Sequence, residues 1–157
     1  MQKNIEIFVS TLSTNNKAKI KVRFVDLFSG IGGFHQAIKQ LFSESKCIAA
    51  VDKDKFCKET YFLNYEFKNF YDDITDEEDT QTCLTSPDIE YDLITAGFPC
   101  TPFSKAGRME GLRHPEGKLF DSVVKIIKKY NDNHKDPVKL VVLENVSYLA
   151  QHNNKKT

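Results

Sequence analysis

The stretch Val22–Leu41, VRFVDLFSGIGGFHQAIKQL, decides how the rest of the chain is read. Val22–Leu27 (VRFVDL) is apolar and β-rich, Ser29–Gly33 (SGIGG) is a glycine turn, and Phe34–Leu41 has helical spacing. The same strand-then-helix pattern continues outward. Cys47–Val51 reads as a buried-type strand ending at Asp52, and Phe56–Asn64 as a helix. Lys68–Tyr71 reads as a short strand running into Asp72–Thr75, and residues 76–90 as loop. Tyr91–Gly97 is a further strand, ending at Phe98-Pro99-Cys100. Residues 101–118, with three Gly and two Pro, read as a long loop. Leu119–Tyr130 reads as a helix with Val123, Val124, Ile126 and Ile127 on its buried side. Val138–Leu143 is a continuous apolar strand ending at Glu144-Asn145-Val146. Strands alternating with helices predict an α/β fold with a doubly wound, mostly parallel sheet.

The rest of the composition fits one domain. The chain has 157 residues, close to the roughly 150 of a single domain. Lys+Arg and Asp+Glu are 22 each, which excludes wholesale basic binding to nucleic acid but leaves room for a local basic patch. Twelve Phe and six Tyr, with 40% hydrophobic residues, argue for a packed core. Residues 1–20 read as a loose, polar, disordered extension, and 21–157 as the domain. The amino end lacks the marks of a secretory signal and no apolar run suits a membrane span, so a cytoplasmic protein is expected. Cys47, Cys57, Cys83 and Cys100 form no C-x-x-C pair, so no metal site is expected and the thiols read as reduced.

In open α/β sheets, ligands sit beyond the carboxyl ends of the strands. At that edge fall Phe28–Gly33, Asp52, Asp73, Pro99–Cys100 and Glu144–Asn145. Gly30, Gly32 and Gly33 let the backbone approach a ligand closely, although a tight ligand-free turn explains them equally well. Asp52, ending the next strand, is placed to accept hydrogen bonds from ribose hydroxyls. The nicotinamide fingerprint G-x-G-x-x-G fails because its third glycine falls at His35, which disfavours a nicotinamide-dependent oxidoreductase, and no Gly-Lys-Ser/Thr follows. The ligand is then a nucleoside bearing something other than a pyrophosphate, and S-adenosylmethionine fits. Cys100 lies between Pro99 and Thr101-Pro102; its thiolate is a strong nucleophile, whereas most free cysteines are small buried hydrophobes. Glu144 is either a solvated carboxylate or, at a partly dry strand end, a proton donor. Cys47, Cys57 and Cys83 read as structural.

Together these segments resemble the cytosine-5 DNA methyltransferases. The matching stretches are DLFSGIGGF (Asp26–Phe34), Asp52 in VDKDK, DIT (Asp73–Thr75), GFPCTPFS (Gly97–Ser104), GKLF (Gly117–Phe120) and ENVSYLAQH (Glu144–His152). The resemblance covers about residues 22–157. It implies a Rossmann-like, S-adenosylmethionine-dependent methyltransferase acting on cytosine flipped out of double-stranded DNA, of the kind found in restriction-modification systems. It also implies roles. Cys100 would add to carbon 6 of the cytosine, and Glu144 would contact or protonate ring nitrogen 3. The cofactor set would be Asp26, Phe28, Ser29, Gly30, Ile31, Gly32, Gly33, Asp52, Lys53, Asp73, Ile74, Gly97, Pro99 and Leu119. Phe28 would lie on the adenine, Asp52 would hold the ribose and Asp73 the adenine amino group. Pro99, Thr101, Ser104, Arg108, Asn145 and Val146 would contact the DNA substrate. The loop 105–118, with Lys105, Arg108, Arg113, His114 and Lys118, resembles one that closes over DNA.

Two departures from the family pattern stand out. Thr101 occupies the place usually held by Gln, and the chain stops at Thr157, soon after Glu144-Asn145-Val146. A full member continues with an arginine-bearing strand, a target-recognition region and a final helix. The expectation is therefore a fold incomplete at its carboxyl-terminal end, one half of an enzyme whose second polypeptide supplies target recognition. The alternative is an inactive remnant that binds cofactor or a relative without catalysis. An RNA methyltransferase of the same lineage is a further reading. Strand 138–143 would be left as an apolar sheet edge.

Overall fold

We describe the protein from a computed structural model covering residues 20–66, 68–99 and 119–146. Five parallel strands form one sheet in the order β3-β2-β1-β4-β5. They are β1 (Lys21–Leu27), β2 (Glu44–Val51), β3 (Phe70–Tyr71), β4 (Leu93–Gly97) and β5 (Leu140–Glu144). The helices are α1 (Gly33–Leu41), α2 (Lys55–Asn64), a one-turn α3 (Thr82–Leu84) entered from a π-helical turn at Glu77–Gln81, and α4 (Leu119–Asn133). Among the described residues, no helix is long and apolar enough to cross a membrane.

Alternation along β1 and β4 divides the core in two. Val25, Leu27, Ile94 and Ala96 share one cluster with Leu84 of α3 and with Val123, Ile126 and Tyr130 of α4. Phe24 and Leu93, one residue out of phase, join Ile38 of α1 and Tyr61 of α2. Successive side chains of a strand point to opposite faces, so the two clusters lie on opposite sides of the sheet and the fold is doubly wound as expected. His35, which broke the dinucleotide fingerprint, belongs to the second core. It is buried, stacked on Tyr65 with ring centroids 3.8 Å apart, and its Nδ1 lies 2.6 Å from the Tyr61 hydroxyl.

Three details differ from the sequence reading. Strand β2 begins at Glu44 rather than Cys47, because Glu44–Lys46 pair with Lys21–Arg23 and the ladder outweighs their polar character. Residues 76–90 are not all loop: the Asp76 carboxylate accepts from the amides of Glu78 and Asp79 and starts a helical turn, while Thr80, Gln81 and Leu84 are buried beneath it. In α4, Ser122, Val123, Ile126 and Tyr130 face inward, and Val124 is 47% exposed. Strand β5 is an apolar edge as expected, with Leu140, Val142 and Leu143 all exposed. Residues 1–19 of the expected extension, the loop 101–118 and the positions Cys100, Thr101, Ser104 and Arg108 lie outside the described residues.

The amino ends of the strands carry an ion cluster that sequence reading missed. Asp92 accepts from the Arg23 Nε at 3.1 Å and the Lys139 Nζ at 2.6 Å, and Arg23 also pairs with Glu90. Burial opposes the charge on Asp92, but the hydrogen bonds from Arg23 and Lys139 outweigh it and hold the carboxyl well below the usual range. This lowered titration makes Asp92 stabilising above its unfolded-state value, and the contribution is lost progressively as pH falls below about 5 towards the folded-state titration. Asp92→Asn is expected to flatten that acid limb in urea denaturation profiles. Beside this cluster, the Tyr130 hydroxyl accepts from the Tyr91 amide at 3.0 Å and donates to the Tyr91 carbonyl at 3.2 Å. Tyr130→Phe leaves both buried groups unpaired and is expected to cost about 1–3 kcal/mol in denaturant unfolding.

Candidate functional site

Winding reverses at β1, whose neighbours are β2 and β4, and a hollow of about 460 Å³ opens beyond the carboxyl ends there. It is lined by Phe28, Val51, Asp52, Lys53, Asp54, Asp72, Asp73, Ile74, Thr75, Gly97, Pro99 and Leu119. Of the expected cofactor residues, Phe28, Asp52, Lys53, Asp73, Ile74, Gly97, Pro99 and Leu119 meet there. Asp26, Ser29, Gly30, Ile31, Gly32 and Gly33 do not line it. Asp26 is fully buried among the residues below the turn, and Ile31 is 60% exposed.

Hydrogen bonds explain the shape of the rim. The Asp52 Oδ2 accepts from the Gly30 amide at 2.7 Å and its Oδ1 from the Asp54 amide at 2.9 Å, which ties the glycine turn to the end of β2. The Asp54 carboxylate in turn accepts from the amides of Phe56 and Cys57 and caps α2. The Asp73 Oδ1 accepts from both the amide (2.8 Å) and the hydroxyl (2.7 Å) of Thr75. The threonine of the DIT motif thus fixes its aspartate. Asp72 pairs with Lys58 at 2.5 Å.

The turn itself is strained where it meets the hollow. Phe28 has φ 55°, a left-handed conformation that costs a bulky residue energy and persists where the surroundings enforce it. Gly30 (φ 53°) and Gly32 (φ 95°) share that region of backbone space. At Gly32 the requirement is also steric: a Cβ would sit 2.4 Å from the Tyr65 ring, whose hydroxyl donates to the Gly32 carbonyl at 3.0 Å. Close backbone packing against Tyr65, rather than close approach of a ligand, accounts for this glycine.

On the other side of the hollow, Gly97 and Glu144 are register partners, and a Cβ at position 97 would lie 3.5 Å from the Glu144 Oε2. The Asn145 Nδ2 donates to the Phe98 carbonyl at 2.9 Å, binding the Glu-Asn-Val segment to the Gly-Phe-Pro segment. Glu144, Asn145 and Val146 therefore adjoin the strand end that leads to Cys100, without lining the hollow. The partly dry setting expected for Glu144 is not met among the described residues, since β5 is an edge strand and Glu144 is exposed.

The hollow can accept more hydrogen bonds than it can donate. Asp52, Asp54, Asp72 and Asp73 face it, with Lys53 the one cation among the described lining residues. Carboxylates suit hydroxyl and amino donors and repel a pyrophosphate, and the Phe28 ring offers an apolar surface for a flat group. Sequence reading missed Val51, Asp54, Asp72 and Thr75 as lining residues. Asp54 was marked by its place just before a helical run, and Asp72 by its doublet with Asp73.

A family model for C-5 cytosine-specific DNA methylase matches residues 22–157. The type II methyltransferase M.MspI of Moraxella sp is 40% identical over 136 residues, 86% of this chain and 29% of that protein. M.HhaI of Haemophilus parahaemolyticus is 34% identical over 146 residues, 93% of this chain and 40% of that protein. The chain thus spans less than half the length of these curated relatives. Among solved structures, the S. pombe Dnmt2 methyltransferase matches with TM-score 0.60 at 18% identity, over 87% of this chain and 38% of that one, a likeness of fold. A mutant of Spodoptera frugiperda DNMT2 matches with TM-score 0.57 at 26% identity, over 80% and 36%. With the glycine turn, the acidic rim and the Glu144–Gly97 contact all on matched residues, the chain belongs to the C-5 cytosine-specific DNA methylase family.

Proposed function

We propose that this chain carries the cofactor-binding and catalytic part of a DNA (cytosine-5-)-methyltransferase that uses S-adenosylmethionine. The observation that carries the reading is the hollow between β2 and β4, with Phe28, Asp52 and Asp73 on it and Pro99, the residue before Cys100, at its edge. Phe28 would hold the adenine, Asp52 the ribose hydroxyls and Asp73 the adenine amino group, while the glycine turn borders the amino-acid end. Each of these groups offers what the residue accepts, and the acidic rim suits a ligand bearing a sulfonium. When bound, S-adenosylmethionine supplies an electrophilic methyl group.

The protein's own part is to make carbon 5 of cytosine nucleophilic. The Cys100 thiolate adds to carbon 6, forming a carbon–sulfur bond and breaking the 5,6 double bond, while Glu144 contacts or protonates ring nitrogen 3. Electron density gathers at carbon 5, which takes the methyl group. Loss of the carbon-5 proton to a base then restores the double bond and expels Cys100 as thiolate, and any proton taken up at ring nitrogen 3 returns to Glu144. Asn145 keeps Glu144 beside the Phe98–Pro99 turn through its bond to the Phe98 carbonyl. The cytosine would be flipped from the duplex into reach of both groups, with Pro99, Thr101, Ser104, Arg108 and Val146 near it. Segments like those the longer relatives carry beyond the match, on the same or on a second polypeptide, would supply target recognition.

Methyl transfer from labelled cofactor to duplex DNA tests the reading, with the chain alone and with a candidate partner carrying the remaining segments. Transfer is expected with the partner, and Cys100→Ser is expected to abolish it together with covalent trapping of DNA containing 5-fluorocytosine. Transfer that survives Cys100→Ser, or a chain that binds cofactor but never supports transfer with any partner, defeats the catalytic reading in favour of the inactive remnant. Phe28→Ala removes the stacking surface and is expected to weaken S-adenosylhomocysteine binding about 3–10-fold in calorimetry.

A further inference from the structure

We propose that Thr95 is a positioning residue for methyl transfer, its hydroxyl pinning the strand that leads to Pro99–Cys100 onto the buried Asp26 at the base of the glycine turn. This rests on the cofactor reading above.

Thr95 and Asp26 are register partners on β4 and β1, and both are buried on the face that α1 and α2 cover. The Thr95 Oγ1 lies 2.7 Å from the Asp26 Oδ1 and 3.3 Å from the Val25 carbonyl. A hydroxyl has one proton to give. The shorter contact to a carboxylate takes it while Asp26 is charged, and the backbone carbonyl competes once Asp26 is neutral. The Asp26 Oδ2 has no hydrogen-bond partner among the described residues.

Asp26 also serves the helix that opens beside the hollow. The N-cap of α1 is Gly32, which has no side chain to accept a bond, and the first turn of α1 contains no acid. The His35 amide, in that first turn, instead acts on Asp26 in favour of its charged form. One carboxylate thus joins β1, β4 and the start of α1, and Thr95 helps keep it charged.

Burial pushes the Asp26 carboxyl up to about 7, with Thr95 and the His35 amide pulling the other way and the charge of Asp52 adding to the rise. His35, Cys47, Tyr61 and Tyr65 are neutral near that pH. Burial, aided by Lys39, lowers the His35 imidazole on α1 to about 4; burial raises the Cys47 thiol on β2 to about 12 and lifts Tyr61 and Tyr65 of and beside α2 above the usual phenol range. Ionisation of Asp26 is therefore the local charge change near pH 7. Since the folded carboxyl titrates above its unfolded value, charging it costs stability as pH rises towards 7, and a hydrogen bond to the charged form reduces that cost.

The test combines carbon-13 NMR titration of the aspartate carboxyls with calorimetric binding of S-adenosylhomocysteine from pH 6 to 8.5, on this chain. Thr95→Val is expected to raise the Asp26 titration by about one pH unit and to weaken binding at pH 7.5 roughly 3–10-fold, with the binding profile moving alongside it. Thr95→Ser restores both. Asp26→Asn, which keeps an acceptor for Thr95 but no charge, makes binding independent of pH over that range and serves if Thr95→Val does not fold. An unmoved Asp26 titration in Thr95→Val, or a pH dependence surviving in Asp26→Asn, overturns the proposal. Wild-type chain that binds no S-adenosylhomocysteine at any pH defeats the cofactor reading instead, and the carboxyl titration alone then decides whether Thr95 holds Asp26.

Discussion

Strand β1 is flanked by β2 on one side and β4 on the other, with every strand running the same way. The chain must therefore leave the carboxyl end of β1 towards one side and return later on the opposite one. Among the described residues, no connecting segment covers the gap so created, and the sheet opens there. Every later property of the site follows from this reversal. Segments far apart in the chain converge at one edge, and a ligand reaches them without displacing the core.

Convergence alone would leave a loose set of loops, and a few side chains convert it into a shaped surface. Asp52 binds the Gly30 amide across 22 positions of sequence, and Asn145 binds the Phe98 carbonyl across 47. Both bonds join a strand end to the turn beyond its neighbour, so each fixes one wall of the hollow relative to the next. Asp52 also faces the cavity, so one carboxylate both holds two walls of the site together and contributes to its negative rim.

Much of this was legible in the chain itself. The strand–glycine–helix pattern at Val22–Leu41 predicts the architecture because parallel strands leave few ways to bury an apolar ladder on both faces. The Asp52 and Asp73 positions follow from strand ends, which are easy to read when a strand is apolar and its exit polar. Other features rest on pairings that periodicity does not encode. The Arg23–Asp92–Lys139 cluster joins residues 69 and 47 positions apart, and Asp92 looked like an ordinary start to a strand. Val124 looked like core because it sits in an apolar run, yet the helix rotates it outwards once Val123 and Ile126 are seated. Asp26 belonged to the matched motif and was expected at the ligand, whereas alternation turns it to the helix-covered face. Thr95 left a faint mark, a lone hydroxyl within LITAG, that only the register with Asp26 makes meaningful.

The contact between Gly32 and Tyr65 carries an implication for how this chain can drift over evolutionary time. No methyl group fits at position 32 while a phenol ring stands 2.4 Å from where it would go. Substitution at either place is thus conditional on the other: a smaller residue at 65 would remove the steric bar at 32, though not its left-handed backbone, and would forfeit the bond to the Gly32 carbonyl. In lineages descended from this sequence the two sites should covary, and a mutational path that alters 32 first passes through a poorly folded intermediate.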